Sequence, residues 1–147
     1  FVSKDKNKKI DKSVKSLLLE EEKFGIKKFK TYKDFGEKVY KIRQNVLRNL
    51  NELKKKNQKI IGFRAPAKAT TSLNFYGITD QIHFIVEDNA LKHNKYIPGV
   101  KIPIKKKNII KDNNNTIIVL AWNFFEDIKK NNLKLSKNFI NIKSLEI

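Results

Sequence analysis

Apolar residues follow two rhythms along this chain, one helical and one in short runs. Residues 1–10 are mostly charged and read as the tail of a strand at residues 1–3 followed by a linker. Asp11 or Ser13 can cap a first helix, whose Val14, Leu17 and Leu18 share one face and which Gly25 can stop. Glu20, Glu21 and Glu22 read as a solvated face. Thr31, with Asp34 three residues on, has the form of a capping box. Phe35, Val39, Ile42, Val46, Leu50 and Leu53 then recur at spacings of three and four, which predicts a longer helix with a core-facing stripe. Lys54, Lys55 and Lys56 suit the negative end of its dipole.

The second rhythm begins at residues 60–78, IIGFRAPAKATTSLNFYGI. A short apolar strand at 60–63, interrupted by Gly62, leads into a turn around Pro66 and Lys68. A helix follows over 69–76, and Gly77 can close it. Residues 81–87 predict a second strand, and 96–99 a turn. Residues 100–104 form an extended piece that prolines hold at a sheet edge. A helical turn at 107–111, a loop at 113–115, a buried strand at 116–121, a helix at 122–133 and a strand at 139–142 complete the order. Strands separated by helices predict an α/β fold: Rossmann-like, a mainly parallel sheet with flanking helices and an N-terminal helical pair packed on it. A single domain is expected over 1–147, with a linker and helical extension at 1–57 and a βαβ core at 58–147.

Ligands of such sheets lie outside the carboxyl ends of the strands. The first end offers Arg64, Ala65, Pro66, Ala67 and Lys68, the second Glu87, Asp88 and Asn89, the third Trp122 and Asn123. Arg64, Lys68 and the N–H groups of the following helix can hold an anion, with Thr70 and Thr71 capping that helix or touching the same anion. Equally, Lys68 can be one more exposed lysine, for the loop matches neither a P-loop nor GxGxxG. Glu87 or Asp88 can bind ribose hydroxyls, or Asp88 and Asn89 can merely cap the next segment. Trp122 can stack on a flat ligand or close the core, and Asn123 can cap the helix after it.

Composition narrows the partners. The 147 residues carry a formal net charge of +18 and no cysteine. Arg43, Arg48 and Arg64 are the arginines, and lysine is spread along the whole chain together with abundant Asn and Ile. Readers of bases and phosphates favour arginine for its bidentate geometry, so a solvated lysine surface is the better reading and no nucleic-acid partner is expected. No apolar run approaches a membrane span, and no membrane partner is expected. The lack of cysteine fits a reducing, cytoplasmic location. His83 and His93 are far apart and pair with no cysteine, serine or metal set, so neither a metal site nor catalytic residues are expected in this chain.

The segments Gly62-Phe63-Arg64-Ala65-Pro66-Ala67-Lys68 and Leu73-Asn74-Phe75-Tyr76-Gly77-Ile78 resemble the G-Y-G-A-P-A-K…L-L-N-Y-x-G-I signature of the C-terminal domain of sugar C-methyltransferases. Val86-Glu87-Asp88-Asn89, Lys92, Lys95-Tyr96-Ile97-Pro98-Gly99 and Ile102-Pro103-Ile104 are similar to that family's V-D-x-N…K…K-Y-x-P-G…I-P-I block, and Leu120-Ala121-Trp122-Asn123 to its L-x-W-N strand end. Val14, Leu17 and residues 20–25 resemble its opening helix. The resemblance implies one part of an enzyme that moves a methyl group from S-adenosylmethionine to a carbon of a nucleotide-linked ketodeoxysugar.

On that resemblance the S-adenosylmethionine site, the general base and a zinc-binding lobe lie upstream, outside this chain, which is then a fragment of a longer protein. The lack of any Met agrees with that. Arg64, Ala65, Pro66, Lys68, Asn74, Asp88, Asn89, Lys92, Tyr96, Trp122 and Asn123 are the expected substrate-side residues, and the upstream methyltransferase domain the expected partner. The sequence departs from the signature at Arg64, where the family has a glycine. It departs again at Lys137 and Asn138 (family glycines) and at Asn141 and Lys143 (family prolines). A sugar-nucleotide-binding or scaffold domain without the reaction, and a basic nucleic-acid-binding module, are the alternative readings.

Overall fold

The alternation of apolar residues in the strands decides how the sheet is covered. In a computed structural model describing residues 3–5, 7–56 and 59–147, five strands run parallel. They are β1 (Lys59–Phe63), β2 (Phe84–Val86), β3 (Ile104–Lys105), β4 (Asn115–Val119) and β5 (Asn138–Asn141), in the order β3-β2-β1-β4-β5. Ile60, Ile85 and Ile118 point to one face, and Ile61, Phe63, Phe84, Val86, Ile117 and Val119 to the other. Both faces are buried, as parallel sheets require. The α/β expectation holds.

Among the described residues, four α-helices accompany the strands: α1 (Lys12–Phe24), α2 (Phe29–Lys55), α3 (Ala67–Tyr76) and α4 (Phe125–Asn131). α3 lays Ala69, Leu73 and Tyr76 on the first face, together with Val46 and Leu50 of α2. α4 covers the second face with Ile128. Gly62 does not interrupt β1. It sits inside the strand, where an added Cβ would lie 2.6 Å from Ile85 Cγ1, so the packing against the neighbouring strand requires its missing side chain.

The chain divides into two compact units, residues 1–40 and 41–147. In the first, the Asp11 carboxylate accepts the Ser13 N–H and Gly25 closes α1 with φ 82°, as the sequence predicts. Of the expected helical pair, the later half of α2 packs on the sheet through Val46 and Leu50. No residue of α1 is buried, and Phe35 of the stripe is 67% exposed. The capping box does not form either. α2 starts at Phe29, the Thr31 hydroxyl donates to the Gly25 carbonyl, and Asp34 pairs with Lys30. In the second unit, Asn45 and Asn49 of α2 donate to the carbonyls of Glu146 and Leu145, fixing the C-terminal 3-10 turn Ile142–Glu146.

The expected strand at residues 1–3 falls largely outside the described residues. Among the described residues, no helix is long and apolar enough to cross a membrane.

Candidate functional site

β1 and β4 are neighbours whose following helices cover opposite faces, so the chain parts between their carboxyl ends and leaves a crevice there. A cleft of about 620 Å³ opens at this edge. Arg64, Pro66, Glu87, Asp88, Asn89, Lys92 and Lys107 form one side, while Phe124, Asp127, Ile128, Asn131 and Asn132 add the residues of α4 and its lead-in.

The floor is set by Glu87. Its side chain is buried, and its carboxylate accepts the N–H groups of Ala65 (2.9 Å), Asp88 (2.8 Å) and Asn89 (3.2 Å). Lys92 lies 3.6 Å from the carboxylate and donates to the Ala65 carbonyl at 2.7 Å. Burial opposes the charge, but the N–H groups of Ala65, Asn89 and Asp88, with the Lys92 ammonium, outweigh it and hold the carboxyl below its usual range. The ends of β1 and β2 are thus tied together through one side chain. Of the two acidic residues, Glu87 is committed to backbone, which leaves Asp88 as the one that reaches the cleft with its charge.

Asp88 is held from two sides. Arg64 Nη2 lies 2.7 Å from its Oδ2, and Lys107 Nζ 2.6 Å from its Oδ1. All three side chains remain between a third and a half exposed. Arg64 adopts φ 68°, the left-handed region that glycine enters without cost. The departure at this position therefore exchanges a free backbone for a strained one and adds a guanidinium aimed at Asp88. Asn89 caps: its Oδ1 accepts the Leu91 N–H at the start of the 3-10 turn Ala90–Lys92.

Other expected residues gather elsewhere. Lys68 lies within α3 and not in a turn; its ammonium is 4.0 Å from the centre of the Trp122 ring, and that of Lys143 is 5.2 Å from it. Trp122 also packs against the core cluster that contains α3, so the core-closing reading holds for its inner side. Thr70 and Thr71 lie inside α3 and do not cap it; Pro66 is the N-cap and contributes no side-chain bond. Asn74 donates to the carbonyls of Thr70 and Pro98, fastening the 96–99 turn to α3. A Cβ on Gly99 (φ 84°) would meet the Asn74 side chain, which explains the glycine. Tyr96 is 63% exposed and bridges Pro103 through its backbone. Asn123 is exposed and does not cap α4, whose N-cap is Phe124.

The sequence reading missed Lys107 and the α4 wall. Phe124, Asp127, Ile128 and Asn131 stand at helical spacing on one face, a signal visible in hindsight. Lys107 had none, because it meets Asp88 only through the pairing of β2 with β3. The cleft's formal charges balance: Arg64, Lys92 and Lys107 against Glu87, Asp88 and Asp127. Among the described residues, no three His, Cys, Asp or Glu side chains come together to hold a metal ion.

Residues 1–141 match the family model described as C-methyltransferase C-terminal domain. The chain is also 26% identical over 128 residues to the C-methyltransferase NovU of Streptomyces niveus, a stretch covering 86% of this chain and 30% of that protein.

Proposed function

This chain belongs to the C-methyltransferase C-terminal domain family, and from that premise we propose that it forms the substrate side of an enzyme methylating a carbon of a nucleotide-linked ketodeoxysugar. The observation that supports the reading is the cleft at the diverging ends of β1 and β4, where open α/β sheets take their ligands. The single substrate-side domain would span residues 1–147, with 58–147 as its core. Its lining supplies donors and acceptors in balance: Arg64, Lys92 and Lys107 donate, Asp88 and Asp127 accept, and Asn89, Asn131 and Asn132 do both. That set suits a hydroxyl-rich ligand with anionic groups, and the Phe124 ring offers a flat apolar surface. Lys68, Asn74, Tyr96, Trp122 and Asn123 lie beyond this lining and would act on the substrate from its rim, or on the domain that closes over it.

S-adenosylmethionine is the methyl donor the family implies, and this chain's residues do not fit it. The β1–α3 connection has no glycine between Phe63 and Ala67, and the Ala65 N–H, which a ligand would need, is taken by Glu87. The donor, the general base and any zinc lobe are assigned to an upstream domain of the same polypeptide, and the protein as a whole to the cytoplasm. This chain's share is to bind and orient the sugar nucleotide.

Calorimetry with a thymidine diphosphate ketodeoxysugar tests the reading. Binding is expected for this chain, together with methyl transfer from labelled S-adenosylmethionine by the whole enzyme. Phe124→Glu places a charge on the cleft wall at a residue 61% exposed, where folding is indifferent to it, and should weaken binding about tenfold or more. Unchanged binding and transfer in that variant would exclude the cleft as the substrate site.

A further inference from the structure

Asp88 is the point where the cleft is chemically over-supplied. One carboxylate is met by two cations on two different oxygens, Arg64 Nη2 at 2.7 Å and Lys107 Nζ at 2.6 Å. The cations arrive from separate places, Arg64 from the end of β1 and Lys107 from the residues after β3, and both line the cleft. Locally the count is two positive charges to one negative, although Asp127 on the α4 wall brings the cleft to neutrality. The guanidinium is held there at the expense of a left-handed backbone, φ 68°. A surface ion pair contributes too little by itself to compensate such strain.

We propose that Arg64 and Lys107 form a binding site for a phosphate-class anion, a diphosphate above all, and that the Asp88 carboxylate is its internal competitor. The carboxylate gives each cation one oxygen, and a diphosphate would offer each an oxygen with more charge behind it. A ligand of higher charge takes both cations and releases Asp88, whose side chain is already a third exposed and can turn to water. A weaker anion cannot displace it, so the pair selects diphosphate over monovalent ions. The inference rests on the reading above only for the source of the diphosphate, a nucleotide as against the inorganic ion.

The sign of one substitution decides it. In calorimetry on the 147-residue chain, inorganic pyrophosphate and thymidine diphosphate should both bind, thymidine should not, and rising salt should weaken both. Asp88→Asn should tighten pyrophosphate about tenfold, the size of one charge-assisted hydrogen bond. Arg64→Gln and Lys107→Gln should each weaken it by a similar factor. The gain from Asp88→Asn should vanish when combined with Lys107→Gln. Asp88→Ser, with circular dichroism on every variant, guards against a misfolded Asp88→Asn. Weaker or unchanged pyrophosphate binding in a folded Asp88 variant overturns the proposal, as does the absence of pyrophosphate binding throughout. Should thymidine diphosphate bind no better than thymidine, this anion site falls while a sugar-nucleotide cleft can still stand.

Discussion

The Glu87 corner and the Trp122 stack stand at the same edge of one sheet and are held by opposite kinds of force. At the corner a buried carboxylate collects three N–H groups and a lysine, so its geometry is directional and the three N–H groups depend on one side chain. In the stack an aromatic ring leans on the core and carries the ammonium groups of Lys68 and Lys143 over it, so its stability comes from area and from graded charge–ring attraction. Damage to the corner should therefore be abrupt, and damage to the stack proportional to what is removed.

The largest effect is expected at Glu87. Glu87→Ala leaves the N–H groups of Ala65, Asp88 and Asn89 without their acceptor and should cost about 3 kcal/mol in urea unfolding. Glu87→Gln keeps the shape and isolates the charge. Because the folded-state pKa is depressed, Glu87 adds stability above the unfolded value near 4.5, and that stability is lost as the pH falls through the lower folded value. The acid limb of the stability profile should be shallower in Glu87→Gln. An acid limb identical to that of the parent chain would show that this carboxylate is not held in its charged form.

Trp122→Ala comes next. The ring is only partly buried, so about 2 kcal/mol is expected, below the usual range for a fully buried tryptophan. Trp122→Phe should recover more than half of it, whereas no conservative variant short of another carboxylate should rescue Glu87. Equal recovery at both sites would erase the contrast between directional and graded support. Lys68→Gln, which removes one ammonium from the ring and leaves Lys143 over it, should cost about 0.5 kcal/mol.

The same contrast separates what could be read in the sequence from what could not. Strand positions, both helix-closing glycines of α1 and α3 and the sheet class follow from local rules, because Ile60, Ile61 and Phe63 or Gly25 and Gly77 need only their near neighbours to declare themselves. Arg64, Pro66, Asp88, Asn89 and Lys92 line the cleft while Lys68, Asn74, Tyr96, Trp122 and Asn123 do not, a division that local rules do not reveal. Asn74 serves a turn 24 residues away, Lys107 meets Asp88 only across a strand pairing, and Lys143 reaches Trp122 from beyond β5. The helical stripe of α2 misled for a related reason. Periodicity says which residues share a face, and only tertiary packing says that Val46 and Leu50 are covered while Phe35 is not.

Arg64→Gly should change stability least, because two effects of similar size oppose each other there. Glycine removes a left-handed strain of about 1 kcal/mol, since φ 68° costs it nothing. It also gives up the 2.7 Å pair with Asp88, whose half-exposed partners contribute about 0.5 kcal/mol, and it enlarges the entropy of the unfolded chain by a comparable amount. The net should lie within about 0.5 kcal/mol of zero. Arg64→Ala separates the two effects, for it keeps the strain and loses the pair, and should fall below both the parent and Arg64→Gly. If Arg64→Ala instead unfolds at the same urea concentration as Arg64→Gly, the backbone at this turn relaxes without glycine. The arginine would then be tolerated for its contact with Asp88 alone.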